Sequence, residues 1–271
     1  MKLAASNIAW PAVMDEEAYR ILRRFGIRAI EVAPTRIWPN WQGADSNGAR
    51  HFRRQVEEQG FQICSLQAIL FQKPELRLFG SDRDRENLWL HLRLCADLAA
   101  ELGAGRLVFG APKNRDPGDL SQEDAFARAV EFFLRLAPHY SARGVRLVFE
   151  ANPVEYGCHF ATENQTAGRL VRAVHAEGMS LHLDTGCMQL AGEDATSTIA
   201  ENADIVAHFH ASEPNLANFA SPSPIHQAAA AALARVGYAG YVALEMRAGD
   251  SPAAALEEAA AYLVRTYASS N

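Results

Sequence analysis

Short apolar runs rich in β-branched residues alternate along this chain with longer segments of helical period. The pattern predicts strands over residues 2–8, 28–32, 62–66, 106–109, 145–150, 180–184, 205–210 and 241–245. It predicts helices over 16–25, 49–59, 84–102, 121–143, 163–177, 196–202, 225–236 and 252–267. Every predicted strand is followed by a helix, which is the crossover that parallel strands require.

Eight such units predict a closed parallel barrel. The 271 residues divide into about 34 per unit, the usual size in a (β/α)8 TIM barrel, and we expect residues 1–271 to form one domain of this kind. The alternative is an open doubly wound sheet, which expects a glycine-rich phosphate turn after an early strand. The first turn here reads NIAWPAV and has no glycine, so the single TIM barrel is favoured.

Composition narrows the class of protein further. A 49% hydrophobic content with 21% charged residues supplies a large core and argues against disorder. A net charge of −6 argues against a nucleic-acid partner, which usually calls for a basic excess. The four cysteines form no CxxC pair, the start lacks a secretory signal, and no apolar run reaches 18 residues. We therefore expect a cytoplasmic protein with no membrane partner.

Four consecutive predicted strands end on an ionisable side chain. These residues are Glu150, Asp184, His210 and Glu245, and their spacings of 34, 26 and 35 residues each approximate one βα unit. Because catalytic groups of a TIM barrel project from the C-terminal ends of its strands, all four should meet at one rim. His182 and His208 precede two of them by two residues and should lie one layer deeper, as supporting groups or as core histidines.

Three carboxylates crowded at one rim would repel one another unless a cation neutralised them. A set of three oxygen ligands and one nitrogen suits one divalent ion, with Mn²⁺ or Mg²⁺ first and Co²⁺ or Zn²⁺ also compatible. The alternative is a hydrogen-bonded polar plug that closes the top layer of the barrel.

The same four residues resemble the metal site of the xylose isomerase-like TIM-barrel superfamily. Short phrases that match its sugar isomerase/epimerase branch are EANP at 150–153, LDTG at 183–186, HFHASEPN at 208–215 and LEMR at 244–247. The resemblance covers nearly the whole chain. This chain departs from the family pattern at two positions. Many ketose epimerases and endonucleases have a histidine where this chain has Cys187, and the ketose 3-epimerases have an arginine where it has Leu216.

The resemblance implies an activity and roles for the four residues. Glu150, Asp184, His210 and Glu245 would bind the metal, and the substrate's carbonyl and neighbouring hydroxyl would complete its coordination. Glu150 and Glu245 would act as the two bases of a sugar, sugar-acid or sugar-phosphate isomerase or epimerase. Such an enzyme transfers a proton through a metal-stabilised enediolate.

Other polar residues near the predicted strand ends are candidates for binding a small polyhydroxy carbonyl substrate. The amides and the carboxylate suit hydroxyl groups of the substrate: Asn7, Glu31, Gln67 and Asn152. The cations suit a carboxylate or phosphate: Lys113, Arg115 and Arg247. Each also has an ordinary explanation in local hydrogen bonding or a solvated turn.

Three other functions stay open from the sequence. A metal-dependent dehydratase of an inosose-like ketone would begin with the same proton abstraction. A metal-dependent nucleic-acid phosphodiesterase would need extra histidines on the early strands, which end near Asn7, Glu31, Gln67 and Phe109. A non-catalytic sugar-binding module would need no metal. A homo-oligomer is compatible with the family but has no signal in the chain.

Overall fold

A computed structural model describes residues 1–268 of the chain. Eight parallel strands close into a barrel in chain order, with the first strand hydrogen-bonded to the last. The strands are β1 Lys2–Ser6, β2 Ala29–Val32, β3 Gln62–Leu66, β4 Arg106–Phe109, β5 Arg146–Glu150, β6 Met179–Asp184, β7 Val206–Ser212 and β8 Tyr241–Glu245. The predicted (β/α)8 TIM barrel is confirmed, and the doubly wound alternative is wrong because the sheet closes on itself.

Helices surround the barrel between successive strands. They are α1 Asp15–Arg24, α2 Pro34–Ile37, α3 Ser46–Glu58, α4 Asp82–Leu102, α5 Gln122–Ala142, α6 Asn164–Val174, α7 Thr185–Leu190, α8 Ala195–Glu201, α9 Ile225–Arg235 and α10 Pro252–Leu263. A turn of π-helix, Val264–Ala268, follows the last of them. The eight predicted helices are all present, with ends displaced by up to four residues.

Two short helices, α2 and α7, have no counterpart in the sequence prediction. Helix α7 follows β6 without a loop, because the carboxylate of Asp184 accepts a hydrogen bond from the backbone N–H of Cys187 and so caps the first turn. Helix α3 begins at Ser46, three residues before the predicted start, because Asp45 accepts hydrogen bonds from two backbone N–H groups there. Capping side chains therefore account for the presence of α7 and for the earlier start of α3.

The alternation of side chains along the strands separates two environments. Outward residues form an apolar layer against the helices, in which the rings of Phe109, Phe133 and Phe149 lie with centroids 5.4–5.7 Å apart. Inside the barrel, a small-residue layer of Ala4, Ala29, Cys64 and Ala243 occupies the N-terminal end. Polar side chains fill the C-terminal end, where the chemistry of this fold is placed.

Two further observations concern membrane-spanning helices and the cysteines. Within residues 1–268, none of the helices has both the length and the apolar character needed to cross a bilayer. The thiols of Cys64, Cys95, Cys158 and Cys187 are free and buried.

Candidate metal centre

Inward-facing residues at or near the ends of β5 to β8 line one cavity at the C-terminal end of the barrel. Its volume is about 600 Å³, and Glu150, Asp184, His210 and Glu245 all lie on its wall. The parallel register places Asp184 directly opposite His210 on the neighbouring strand. The strand-end positions chosen from the sequence therefore do meet in one concave site.

His210 occupies the centre of this group, and its two nitrogens face different partners. Nδ1 lies 3.2 Å from Glu245 Oε2 and 3.6 Å from Asp184 Oδ2, without a hydrogen bond. Nε2 lies 2.9 Å from Glu31 Oε1, deeper in the barrel. The ring therefore presents Nδ1 to the carboxylates at the rim.

Glu31 is a fully buried carboxylate beneath the rim. Its Oε2 accepts a hydrogen bond from Ser65 Oγ at 2.8 Å and lies 2.8 Å from His208 Nε2. Burial would raise the pKa of Glu31, but the neighbouring charge of His210 and the hydrogen bonds of both histidines hold that pKa well below its usual value. The same pairing, with the charge of Glu245, raises the pKa of His210 well above its usual value against the effect of burial.

Asp184 is fixed by donors on both oxygens. The backbone N–H of Cys187 donates to Oδ1 at 2.6 Å, and Ser212 Oγ donates to Oδ2 at 2.7 Å. Burial opposes ionisation, yet the contact with His210 and these hydrogen bonds lower the pKa of Asp184 below its usual value. This carboxylate is held ionised and has little freedom to move.

Glu150 and Glu245 behave differently from Asp184. Burial, reinforced by the negative charge of Asp184, raises the pKa of each to about 7. Asn152 Nδ2 donates to Glu150 Oε2 at 2.8 Å, and Glu245 approaches His210 Nδ1. A carboxyl group whose pKa lies near neutrality can both accept and return a proton, which is the property required of an acid–base catalyst.

His182 belongs to the centre, although its position in the sequence placed it one layer below. Donor atoms of Glu150, His182, Asp184 and His210 all lie within 4.8 Å of one another, and His182 Nε2 is 3.4 Å from Glu150 Oε1. Glu245 joins no such group among the described residues and reaches His210 alone. The sequence analysis named His182 only as a supporting group or a core histidine, because spacing within one strand does not show that the sheet register sets it opposite Glu150 on the adjacent strand.

Four of the predicted substrate-binding residues line the cavity: Gln67, Lys113, Asn152 and Arg247. Lys113 and Arg247 are exposed at its mouth, and neither forms an ion pair in the part of the chain that the structure describes. Polar groups that sequence reasoning missed, Tyr156 and Asn215, share the wall, and the Tyr156 hydroxyl accepts a hydrogen bond from the backbone N–H of Asn215.

The other three predicted substrate-binding residues lie behind the wall. Asn7 is buried and its Oδ1 accepts a hydrogen bond from the backbone N–H of Ala33. Arg115 is fully buried and donates to the main-chain oxygen of Glu150 at 2.7 Å and to Asn152 Oδ1 at 3.2 Å. With Glu31 also enclosed, none of the three side chains has a free path to a substrate, so the geometry gives them supporting positions instead.

The residues at the rim fit a divalent cation. His210 Nδ1 is buried without a hydrogen-bond partner, which is costly unless another ligand satisfies it. Three pairs of neighbouring donor atoms are 3.2–3.6 Å apart, and the donor atoms of Glu150, His182, Asp184 and His210 all lie within 4.8 Å of one another, separations that one ion spans with ligand bonds of about 2.0–2.6 Å. Carboxylate oxygens with imidazole nitrogen suit Mn²⁺, Co²⁺, Zn²⁺ or Mg²⁺.

Fold and site together define a closed parallel barrel with a carboxylate–imidazole centre at its C-terminal rim. A family model described as the xylose isomerase-like TIM barrel matches residues 19–266. The chain belongs to this family, as the strand-end motifs indicated. No curated protein matches the chain in sequence.

Solved structures of similar fold cover almost the whole chain. A D-psicose 3-epimerase from Clostridium cellulolyticum H10 gives a TM-score of 0.82 at 16% identity, covering 98% of this chain and 99% of that one. A 3-keto-D-glucoside 4-epimerase from E. coli gives 0.78 at 17% identity, with 98% and 99% covered. A sugar phosphate isomerase/epimerase from Parabacteroides distasonis ATCC 8503 gives 0.73 at 15% identity, with 99% and 94% covered. At these identities the likeness establishes the fold.

Proposed function

We propose that this protein is a divalent-metal-dependent isomerase or epimerase of a small sugar, sugar acid or sugar phosphate. The observation that carries the proposal is the convergence of Glu150, Asp184, His210 and Glu245 from four consecutive strands on one cavity. The printed names of the structural neighbours, which are sugar epimerases and isomerases, support the same class of substrate.

In this proposal Glu150, Asp184, His210 and Glu245 hold one divalent ion, with Mn²⁺ or Mg²⁺ as the first candidates. A bound ion supplies Lewis-acid stabilisation of the negative charge that develops on the substrate's carbonyl oxygen. Asp184 is suited to a purely structural role, because hydrogen bonds to both of its oxygens keep it ionised and fixed.

Glu150 and Glu245 are assigned the proton transfers. They project from β5 and β8, on opposite sides of β6 and β7, so a substrate between them exposes one face to each carboxyl group. One removes the proton next to the carbonyl, and the other delivers a proton to the opposite face or to the neighbouring carbon. The raised pKa values of about 7 belong to the metal-free site; as ligands of the ion both carboxylates would be ionised, which is the form in which each can accept a proton.

The rest of the cavity wall would orient the substrate. Gln67 and Asn152 offer amide groups to hydroxyls, and Lys113 with Arg247 offers positive charge at the mouth to a carboxylate or phosphate. Glu31 and Arg115 are proposed as positioning residues, because Glu31 contacts His210 and Arg115 donates to the main chain of Glu150; Asn7, which bonds the backbone of Ala33 after β2, is proposed to position that loop.

The test combines metal analysis with isotope exchange. The purified protein, loaded with Mn²⁺, is screened against neutral, acidic and phosphorylated ketoses and aldoses in deuterated water. Glu150→Gln and Glu245→Gln should each lower turnover by about 10²–10⁴-fold and alter deuterium incorporation at the carbon next to the carbonyl. Glu155→Gln, an exposed residue after the same strand as Glu150, is the matched control and should keep full activity.

Three other experimental results would each give the site a different role. Unchanged exchange in both glutamine variants would falsify the two-base assignment. A product lighter by one water would identify the dehydratase instead. Failure of the unaltered protein to bind any divalent ion would identify the rim as a polar plug.

A further inference from the structure

A second cavity lies at the other end of the barrel, away from the candidate metal centre. Arg106 and Arg146 are the first residues of β4 and β5 and face each other in the parallel register. Together with Tyr238 and Gly240, just before β8, and Val206 at the start of β7, they line a space of about 260 Å³. No residue of this lining is acidic.

The two guanidinium groups lack a countercharge. No ion pair among residues 1–268 includes Arg106 or Arg146. Arg106 is half-buried, and burial together with the positive charge of Arg146 lowers its pKa below the usual value. Arg146 is exposed, so water screens part of the repulsion between the two like charges, and an anion between them would remove the remainder.

Most of the hydrogen-bonding capacity of the pair is also unused. Arg106 donates to the main-chain oxygens of Gly105 at 2.8 Å and Ala207 at 3.3 Å, and Arg146 donates only to Ser180 Oγ at 3.4 Å. Each guanidinium carries five N–H donors, so the greater part of both groups stays free. The chain as a whole is acidic, with a net charge of −6, so this concentration of positive charge is local.

We propose that Arg106 and Arg146 form a binding site for a small tetrahedral oxyanion, of the phosphate or sulfate type, at the N-terminal end of the barrel. Guanidinium forks match the oxygens of such an anion in a bidentate manner. The space is several times the roughly 30 Å³ of one water molecule and therefore admits the anion with part of its hydration. Bound there, the anion bridges β4 and β5 and stabilises the folded barrel.

The test measures thermal unfolding and calorimetric binding of the full-length protein. Inorganic phosphate and sulfate are titrated against chloride at constant ionic strength. The oxyanions should raise Tm in a concentration-dependent way, whereas chloride should not. Arg106→Gln and Arg146→Gln should each weaken the affinity by about tenfold or more, and Arg146→Lys should weaken it by less because it keeps the charge.

One control separates this site from surface charge in general. Arg24→Gln changes an exposed helix residue outside both cavities and should keep the full phosphate effect. Loss of the effect in Arg24→Gln would overturn the proposal, as would its persistence in Arg106→Gln. If neither glutamine variant folds, a crystal structure of the unaltered chain with selenate should show anomalous density between the two guanidiniums. Absence of that density, or density without a Tm shift in solution, overturns the proposal.

Discussion

Glu31 Oε1 lies 2.9 Å from His210 Nε2, across the interior of the barrel from β2 to β7. These strands are not neighbours in the sheet, so only the closure of the barrel brings the two side chains together. Because Nε2 faces Glu31 at ion-pair distance, Nδ1 is the nitrogen that faces the rim. A carboxylate that fixes the ring in this way also increases the basicity of a metal-binding imidazole.

Glu31→Gln should weaken metal binding by about 10–100-fold, because glutamine keeps the shape of the side chain but loses the charge that orients His210. Calorimetric titration with Mn²⁺ measures the effect. Glu257→Gln, which changes an exposed carboxylate paired with Arg24, should leave the affinity unchanged. Equal affinity in Glu31→Gln and the unaltered protein would mean that Glu31 has no influence on the metal centre.

Gly110 makes room for the carboxylate of Glu150. A Cβ atom at this position would overlap Glu150 Oε2 and press on Asn152 Oδ1. Gly110→Ala should therefore displace the proposed base and lower kcat by about 10²-fold or more, since small misplacements of catalytic groups have effects of this size. Gly105→Ala is the matched control, because nothing lies within 4 Å of the added atom there. Similar kinetics in the two variants would contradict the placement of Glu150.

Metal binding should release protons below neutral pH. Metal-free Glu150 and Glu245 have pKa values of about 7, and both must lose a proton to become ligands. Affinity for Mn²⁺ should therefore rise as pH increases from 5 to 7, and it should continue to rise above 7, because His210, whose pKa is also raised, must lose a proton before its Nδ1 can bind. In the metal-free protein, stability changes with pH in the opposite direction. Because the two pKa values are higher in the folded state than in the unfolded state, protonation of these carboxyl groups stabilises the fold at low pH. This contribution to the free energy of unfolding is lost as pH rises from about 4.5 to about 7.

Titration calorimetry in buffers of different ionisation enthalpy counts the protons released. The count at pH 6 should fall in Glu245→Gln, because glutamine carries no dissociable proton. A pH-independent affinity between pH 5 and 7, with no proton release, would show that the two glutamates are already ionised in the metal-free site.

Arg115 and Arg247 were both predicted to bind substrate, and the structure gives them different positions. Arg115→Met would leave two buried oxygen acceptors without a donor, and should lower the free energy of unfolding by about 2–5 kcal/mol. Arg247→Met, at an exposed position, should change stability by less than about 0.5 kcal/mol and should raise KM for an anionic substrate. Urea denaturation and steady-state kinetics measure the two effects; equal loss of stability in both variants would contradict the distinction.

The sequence by itself determined the barrel and the rim. Short apolar runs followed by helical segments specify eight βα units, and a side chain at the C-terminal end of a parallel strand projects at the C-terminal face of the barrel. Glu150, Asp184, His210 and Glu245 were identifiable because strand position alone fixes the end of the barrel at which they lie. The carboxylate and imidazole groups of these four residues then predict a divalent-metal site.

Only the tertiary structure decided which other side chains join them. Spacing within one strand placed His182 below Asp184, but the stagger between adjacent strands sets it beside Glu150. The same spacing could not show that Glu31 lies under His210 or that Arg115 turns inward beneath Glu150, because both contacts join strands and loops distant in the chain. The register and curvature of the closed sheet fix those contacts, and these are properties of all eight strands together.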